Sequence, residues 1–239
     1  MDDKKRLNKE AYEYGRLGSL LIKIDENYPL QAHDLMIIED EDFKGKILDV
    51  GCGPGVLANV AKCKNKDLDI ELFDASMLYL NIADTLAKKN DFNFICYHGL
   101  VGKDYIGKKY DTIIFNHIIE HIEDLDMVFD WAEKHLEKNG TIFVCVPFKD
   151  AHWSHNHVHF FNVDDNDKSG FYKETLDKTT NIATFIKKRN YQATIEIFDE
   201  ELIDKRHPHK SSGQLDMFIK IKRIKNENTN TKTGRNIEK

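Results

Sequence analysis

The sequence predicts an α/β fold: a doubly wound, mostly parallel seven-stranded sheet with an antiparallel last strand. Three observations carry this. Residues 46–50 are a short apolar run that stops at the glycine turn Gly51-Cys52-Gly53-Pro54-Gly55, after which a helix opens over residues 56–61. Strand, glycine turn and helix is how an open α/β sheet builds a nucleotide pocket, because glycine turns tightly and lets a ligand approach the main chain. Strand-length apolar runs then alternate with helical segments as far as residue 147, the pattern of parallel strands joined by crossover helices. Residues 193–198 and 214–221 alternate with period two near the end of the chain, which predicts an antiparallel edge pair.

Ahead of the first strand, residues 11–21 and 33–38 read as helices, the first weakened by Gly15 and Gly18 and the second closed by the acidic run 39–42. The turn at 51–55 is not G-x-G-x-x-G, since Val56 stands where the third glycine belongs, and no G-x-x-x-x-G-K-[ST] occurs. A dinucleotide fingerprint and a P-loop are therefore both absent. Residues 68–74 alternate and stop at Asp74, at about the twenty-residue spacing from which an acid binds both ribose hydroxyls. Residues 76–89 follow as an amphipathic helix.

Residues 92–97 read as the third strand and 110–115 as the fourth, which runs into Asn116-His117-Ile118-Ile119-Glu120-His121. A helix is expected over 125–138 with Asn139-Gly140 as its C-cap, and the fifth strand over 141–147. A histidine-rich loop and a helix over 173–189 then lead to the last two strands. No internal repeat is visible.

Taken together, Leu48-Asp49-Val50-Gly51-Cys52-Gly53-Pro54-Gly55, the run Asp74-Ala75-Ser76-Met77, the H-x-x-E-H of His117, Glu120 and His121, and the Asn139-Gly140, strand, Val146-Pro147 order resemble the class I S-adenosylmethionine-dependent methyltransferases over residues 46–222. The resemblance implies a Rossmann-like methyltransferase domain at 44–224, with an N-terminal helical segment at 1–43 lying over its cleft. It implies S-adenosyl-L-methionine as cofactor, held by Asp49, Gly51, Cys52, Gly53, Asp74, Ala75, Met77, Leu100 and Asn116. Leu100 enters through its main chain, because His98-Gly99-Leu100-Val101 lacks the acid that many family members place there for adenine.

Charge and composition narrow the partners. The net charge of −6 is uneven: residues 220–239 hold seven Lys/Arg against two Glu, a local +5, which leaves −11 on residues 1–219. Nucleic-acid binding would need a basic face, so a small-molecule acceptor is expected rather than a nucleic acid. The polar, aperiodic tail at 225–239 reads as disordered. No apolar run approaches the ~20 residues of a membrane span, and no signal-peptide pattern opens the chain. The cysteines at 52, 63, 96 and 145 are scattered without a C-x-x-C, which suits reduced thiols and a cytoplasmic protein. The oligomeric state has no signature in the sequence.

Methyl transfer from a sulfonium asks the protein for alignment and desolvation, and a hydroxyl acceptor must also lose its proton or have its oxygen held by a metal. Open α/β sheets place ligands at the carboxyl ends of their strands, and two histidine groups fall there. His117, Glu120 and His121 share one face if their segment is helical. His155, His157 and His159, with His152 just before them, share one side of the later loop if it is extended. The expected catalytic residues are His117, His121 and His157, acting on an acceptor proton.

H-x-x-E-H with a later histidine is also similar to the E-x-x-E-H plus histidine set of small-RNA 3′-terminal 2′-O-methyltransferases, which bind a divalent metal. By that match the ligands are Glu120, His121 and His157, with His117 standing where the first glutamate would be. His157-Val158-His159-Phe160-Phe161 further resembles the H-x-x-F-F/Y run of methyltransferases acting on sugars, lipids and quinone precursors; the bland reading of Phe160 and Phe161 is plain core. His207 and His209 read as surface loop. The expected function is O-methylation of a sugar or related metabolite. The alternatives are a metal-assisted RNA 2′-O-methyltransferase and a non-catalytic S-adenosylmethionine-binding partner of another enzyme.

Overall fold

The computed structural model describes residues 32–149, 157–166, 178–199 and 215–223. The expected helix at 11–21, His152, His155, His207, His209 and the tail lie outside them. In chain order come α1 (Ala32–Glu39), β1 (Lys46–Val50), α2 (Val56–Lys64), β2 (Asp69–Asp74), α3 (Met77–Lys89), β3 (Ile95–His98) and β4 (Tyr110–Asn116). A single 3₁₀ turn (Ile119–His121) leads to α4 (Leu125–His135), β5 (Leu136–Pro147), β6 (Phe160–Asn162), β7 (Thr179–Asn181), α5 (Ile182–Lys188), β8 (Tyr191–Asp199) and β9 (Leu215–Arg223).

Seven strands form one sheet in the order β3-β2-β1-β4-β5-β9-β8. β1 runs parallel to β2 and β4, and β4 parallel to β5, while β9 pairs antiparallel with both β5 and β8. The expected fold class is the observed one, and the reason is visible in burial. The central strands are covered on both faces: Ile47, Leu48, Val50, Ile113, Ile114, Phe115, Ile142 and Phe143 are each fully buried. One face packs on α4 through Val128, Phe129, Trp131 and Ala132; the other carries Leu57, Ala58, Ala61 and Ala83 of α2 and α3. Each large apolar side chain so buried stabilises the fold by about 1.5–3 kcal/mol.

Three sequence expectations differ from the structure. Helix α4 stops at His135, not 138, and Asn139-Gly140 lies inside β5 rather than capping the helix. Leu136 turns extended (φ −91, ψ 134) and pairs with Tyr110. A Cβ at Gly140 would meet Leu136 Cδ1 at 2.6 Å, so this glycine makes room for the buried Leu136. The third strand begins at Ile95 rather than 92. Of the expected helix at 173–189, residues 173–177 lie outside the described residues, Thr179–Asn181 is a strand parallel to β6, and Ile182–Lys188 is helical. Two β-branched threonines favour the extended form, and the Asn181 side chain caps α5 by accepting from the Thr184 N–H at 2.9 Å.

Charges tie the layers at two places. Asp40 and Asp42, after α1, bind Lys220 and Lys222 of β9. Burial opposes ionisation of Asp42, yet the two lysines hold its carboxyl at about 2. Arg189, at the end of α5, meets Asp126, Asp130 and Glu133 of α4. A buried acid, Glu71, is occupied by the Tyr110 and Tyr97 hydroxyls (2.6 and 3.0 Å) and by Lys108 (2.9 Å), which marks it as structural.

Candidate active site

The chain leaves β1 towards β2 on one side while β4 lies on the other. The glycine turn therefore sits at the point where strand order reverses, the ligand-binding position of an open α/β sheet. Gly51 and Gly53 both hold left-handed backbone, at φ +65 and +53. A Cβ on Gly51 would strike Ile118 at 2.6 Å, whereas one on Gly53 would meet no atom within 4 Å. The first glycine is demanded by packing; the second borders open space.

Asp74 closes this turn from the end of β2. Its Oδ2 accepts from the Gly53 N–H at 2.8 Å and its Oδ1 from the Ser76 N–H at 2.7 Å. Ser76 is the N-cap of α3, accepting from the Tyr79 N–H. A carboxylate offers about four acceptor positions, so two such bonds leave room for the hydroxyls of a ribose. Ala75 follows with its carbonyl accepting from His98 Nε2 at 3.1 Å, and Met77 is half exposed. Leu100 is also half exposed, and its N–H donates to the Asp104 carboxylate at 2.8 Å. The main-chain amide expected for adenine is thus already engaged by the acid that comes four residues later.

Buried acids surround the same turn. Asp49 is 2 % exposed, and burial, followed by the charges of Asp34 and Asp74, pushes its carboxyl up to about 7. Asp34 of α1, also buried, accepts from Asn116 Nδ2 at 2.9 Å, while Asn116 Oδ1 is buried with no hydrogen-bond partner among the described residues. Cys52 lies beside them with its thiol pushed up by burial and then by Asp49 and Asp74. Three carboxylates around an open turn, with an unmet amide oxygen, suit a ligand that brings positive charge and N–H donors. S-adenosyl-L-methionine, with its ammonium and sulfonium, fits this site.

The histidines meet in a second centre, beyond β4. His117 leaves the strand with left-handed backbone (φ +52), its N–H donating to the Cys145 carbonyl at 2.9 Å. For a non-glycine residue such backbone costs about 1–2 kcal/mol, and an outlier of this kind marks a position the surroundings over-determine. His117 Nδ1 lies 3.5 Å from Glu120 Oε1, and Nε2 lies 3.5 Å from Asp216 Oδ2. Burial works against charge on the imidazole, but Asp216, Cys145 and Glu120 raise its pKa well above the usual histidine range. Only a 3₁₀ turn forms here, yet it keeps His117, Glu120 and His121 together, with His121 Nε2 3.8 Å from Glu120 Oε1.

The loop after β5 is fastened to this turn. Val158 and His159 both direct their N–H groups at the Glu120 carbonyl (2.8 and 3.3 Å), and the His159 ring contacts Thr180 Oγ1 and the Glu123 carbonyl. His157 is thereby set edge-on to His121, ring centroids 4.8 Å apart. One donor atom from each of Glu120, His121 and His157 lies within 4.8 Å of the others. Phe160 and Phe161 are buried, Phe161 within the main core, and so read as core.

Of the expected residues, the structure gathers Asp49, Gly51, Cys52, Gly53, Asp74 and Asn116 around the turn, and His117, Glu120, His121 and His157 around the second centre. Asp34 and Asp216 were not anticipated. Asp34 is the one acid in the first turn of a mostly apolar helix, which was its only signal; Asp216 gave none.

Residues 27–179 match the family described as "Methyltransferase domain". Malonyl-[acyl-carrier protein] O-methyltransferase 2 of Ilyobacter polytropus is 27% identical over 158 residues, 64% of this chain and 58% of that protein. A ubiquinone biosynthesis O-methyltransferase of Pelagibacter ubique is 34% identical over 103 residues, 41% of this chain and 40% of that protein. The chain thus spans roughly half the length of these curated relatives. Among solved structures, an S-adenosylmethionine-dependent methyltransferase from Clostridium acetobutylicum superposes with a TM-score of 0.58 at 16% identity, over 88% of this chain and 98% of that one, which shows the shared fold. Among the described residues no helix is long and apolar enough to cross a membrane.

Proposed function

The chain belongs to the class I S-adenosylmethionine-dependent methyltransferases, and from that membership we propose that it methylates a hydroxyl of a small polar acceptor, a sugar or related metabolite. The observation that carries the reading is the juxtaposition of two centres: buried acids around an open glycine turn, and a histidine group beyond the neighbouring strand. When bound, the cofactor supplies a methyl on a sulfonium, whose S–C bonding pair stays with sulfur as the acceptor oxygen forms its bond to carbon.

The chain's own residues do the rest. Asp74 grips the ribose hydroxyls and Asn116 Oδ1 accepts from the ammonium. Asp49 and Asp34 make the pocket negative, which favours a cation over its neutral product. Leu100 and Met77 give apolar surface to the adenine side. Between them, His121 and His157 take the acceptor's proton. His117, held charged between Asp216 and Glu120, is poorly suited to that task and instead orients Glu120. O-methylation is favoured over N-methylation because two relatives are named as O-methyltransferases. A small acceptor is favoured over RNA because residues 1–219 carry −11.

The test is calorimetric binding of S-adenosylhomocysteine, followed by turnover of S-adenosylmethionine against a panel of hydroxylated metabolites. Uptake of the nucleotide with acceptor-dependent product supports the proposal. Absence of nucleotide uptake removes it, and tight uptake with no turnover on any acceptor favours a non-catalytic binding partner.

A further inference from the structure

Resting on the cofactor reading above and deepening it, we propose that Asp34 of α1 is a positioning residue, which locks the Asn116 amide so that its oxygen reads the ammonium at the amino-acid end of the nucleotide. Asp34 lies outside residues 46–222, the stretch that carries the sequence motifs.

The contact between the two side chains has only one sense. An asparagine amide has an oxygen that accepts and a nitrogen that donates, and a carboxylate oxygen is met by the nitrogen alone. Asn116 Nδ2 donates to Asp34 Oδ1 at 2.9 Å. The amide oxygen is thereby turned away from Asp34, to a place where it is buried with no hydrogen-bond partner among the described residues. A buried acceptor left unmet is costly, and a ligand N–H there removes the cost.

Asp34 is itself held in place. It stands in the first turn of α1 and is 5 % exposed. Ile37, three positions on and so on a neighbouring part of the helix surface, is fully buried in the cluster that contains Ile47, Ile114 and Phe143. Just past the helix, Asp40 binds Lys220, and Asp42 binds Lys220 and Lys222. Apolar packing and ion pairs therefore fix this helix against the sheet. Burial is the chief cause that raises the Asp49 carboxyl on β1 and the Cys145 thiol on β5, and Asp34 adds to both. Its contact with Asn116, the last residue of β4, completes the set. One carboxylate felt on β1, β4 and β5 lies over the carboxyl ends of the three central strands.

That position suits the amino-acid end of the cofactor. The order β2-β1-β4 sets Asp74 and Asn116 two strands apart. With neighbouring strands about 4.8 Å apart, the two strand ends are roughly 10 Å apart, a span suited to a ribose at one end and an amino acid at the other. A nucleoside without the amino group would leave Asn116 Oδ1 unmet, so the pair selects for the complete ligand.

The experiment is calorimetry on the full chain with two probes, S-adenosylhomocysteine and its desamino analogue, which keeps the carboxylate and lacks only the ammonium. The wild type should bind S-adenosylhomocysteine at least about tenfold more tightly. Asp34→Asn should erase that preference by weakening S-adenosylhomocysteine about tenfold, while the desamino analogue binds at least as well as it does to the wild type. Asn116→Ser should do the same, and the double variant should lose less than the sum of the two, because both act through one contact. An equal fall for both probes means that Asp34 only holds α1 in place, and overturns the proposal. Unchanged S-adenosylhomocysteine affinity in Asp34→Asn overturns it too, as do additive losses in the double variant. Asp34→Ser carries the same readings should Asp34→Asn not fold. Failure of the wild type to bind S-adenosylhomocysteine removes the cofactor reading itself, and this role of Asp34 with it.

Discussion

Gly53 donates its backbone N–H to Asp74 at 2.8 Å, which makes the glycine turn and the end of β2 one unit. Asp74 thereby braces the turn, and in the function proposed above it is also the acid offered to a ribose. Asp74→Asn removes the charge and keeps one acceptor oxygen, so only one of the two bonds to Gly53 N–H and Ser76 N–H survives. Hydrogen bonds to a charged group contribute about 1.5–3 kcal/mol, so S-adenosylhomocysteine binding should weaken at least tenfold, and the melting temperature should fall with the lost backbone bond. Calorimetry beside a thermal melt checks this; wild-type affinity in the variant would remove the ribose role.

Two alanine substitutions in the turn should separate binding from folding. Gly53→Ala places a methyl in open space, so its stability loss is the left-handed backbone alone, about 1–2 kcal/mol. Its cofactor affinity should fall more than tenfold. Gly51→Ala adds a clash with Ile118 and should be clearly less stable than Gly53→Ala in urea unfolding. Equal destabilisation by the two would contradict the geometry.

Cofactor binding should be pH-dependent through Asp49, whose carboxyl stands at about 7 in the free protein. A cation beside it brings that value down, so binding releases a proton and affinity rises as pH climbs from 6 towards 7.5. In the free protein the sign is the reverse. The folded state binds this proton more tightly than the unfolded chain, so the contribution to stability is full below about 4 and lost as pH rises through about 7. Calorimetry in two buffers of different ionisation enthalpy at pH 6.5 measures the proton release, which Asp49→Asn should abolish.

His135 contributes with the opposite slope. Burial pushes its pKa below the usual range, only partly offset by the Trp131 carbonyl. As a neutral ring it donates from Nδ1 to Trp131 O at 2.7 Å and accepts at Nε2 from the Ile106 N–H at 3.1 Å. Below about 6.5 the unfolded chain takes up the proton first, so this group's stabilisation fades on acidification. His135→Gln should cost about 1–3 kcal/mol at pH 7.5 and lose less than the wild type between pH 7.5 and 5.5. Urea titrations at both values decide it.

What the sequence disclosed divides along a physical line. The turn at 51–55, Asp74 and the E-H after β4 are local patterns, and each sits where its neighbours in sequence imply. Gly140 misled because a glycine after a helical run reads as a C-cap, whereas here it yields space to Leu136, a contact governed by pairing with Tyr110. Asp216 was hidden for a related reason. Alternation in β9 puts Asp216, Phe218, Lys220 and Lys222 on one face and Met217, Ile219 and Ile221 on the other, so the aspartate reads as solvent-facing. The partners that bury it, His117 and its surroundings, lie about a hundred positions earlier and leave no trace in the local pattern.

The placement of β9 has a consequence for how the molecule comes into being. A nascent polypeptide can lay down β1 to β5 as they emerge, but β5 keeps a raw, apolar edge until residues 215–223 arrive to zip against it. The same late segment delivers the lysines that neutralise Asp40 and Asp42 and the aspartate that faces His117. A chain cut short of that segment would lack both its finished sheet and the aspartate that completes the histidine centre. Translation therefore completes architecture and chemistry at one stroke, and a prematurely terminated product should be cleared by proteases instead of surviving as a half-active enzyme.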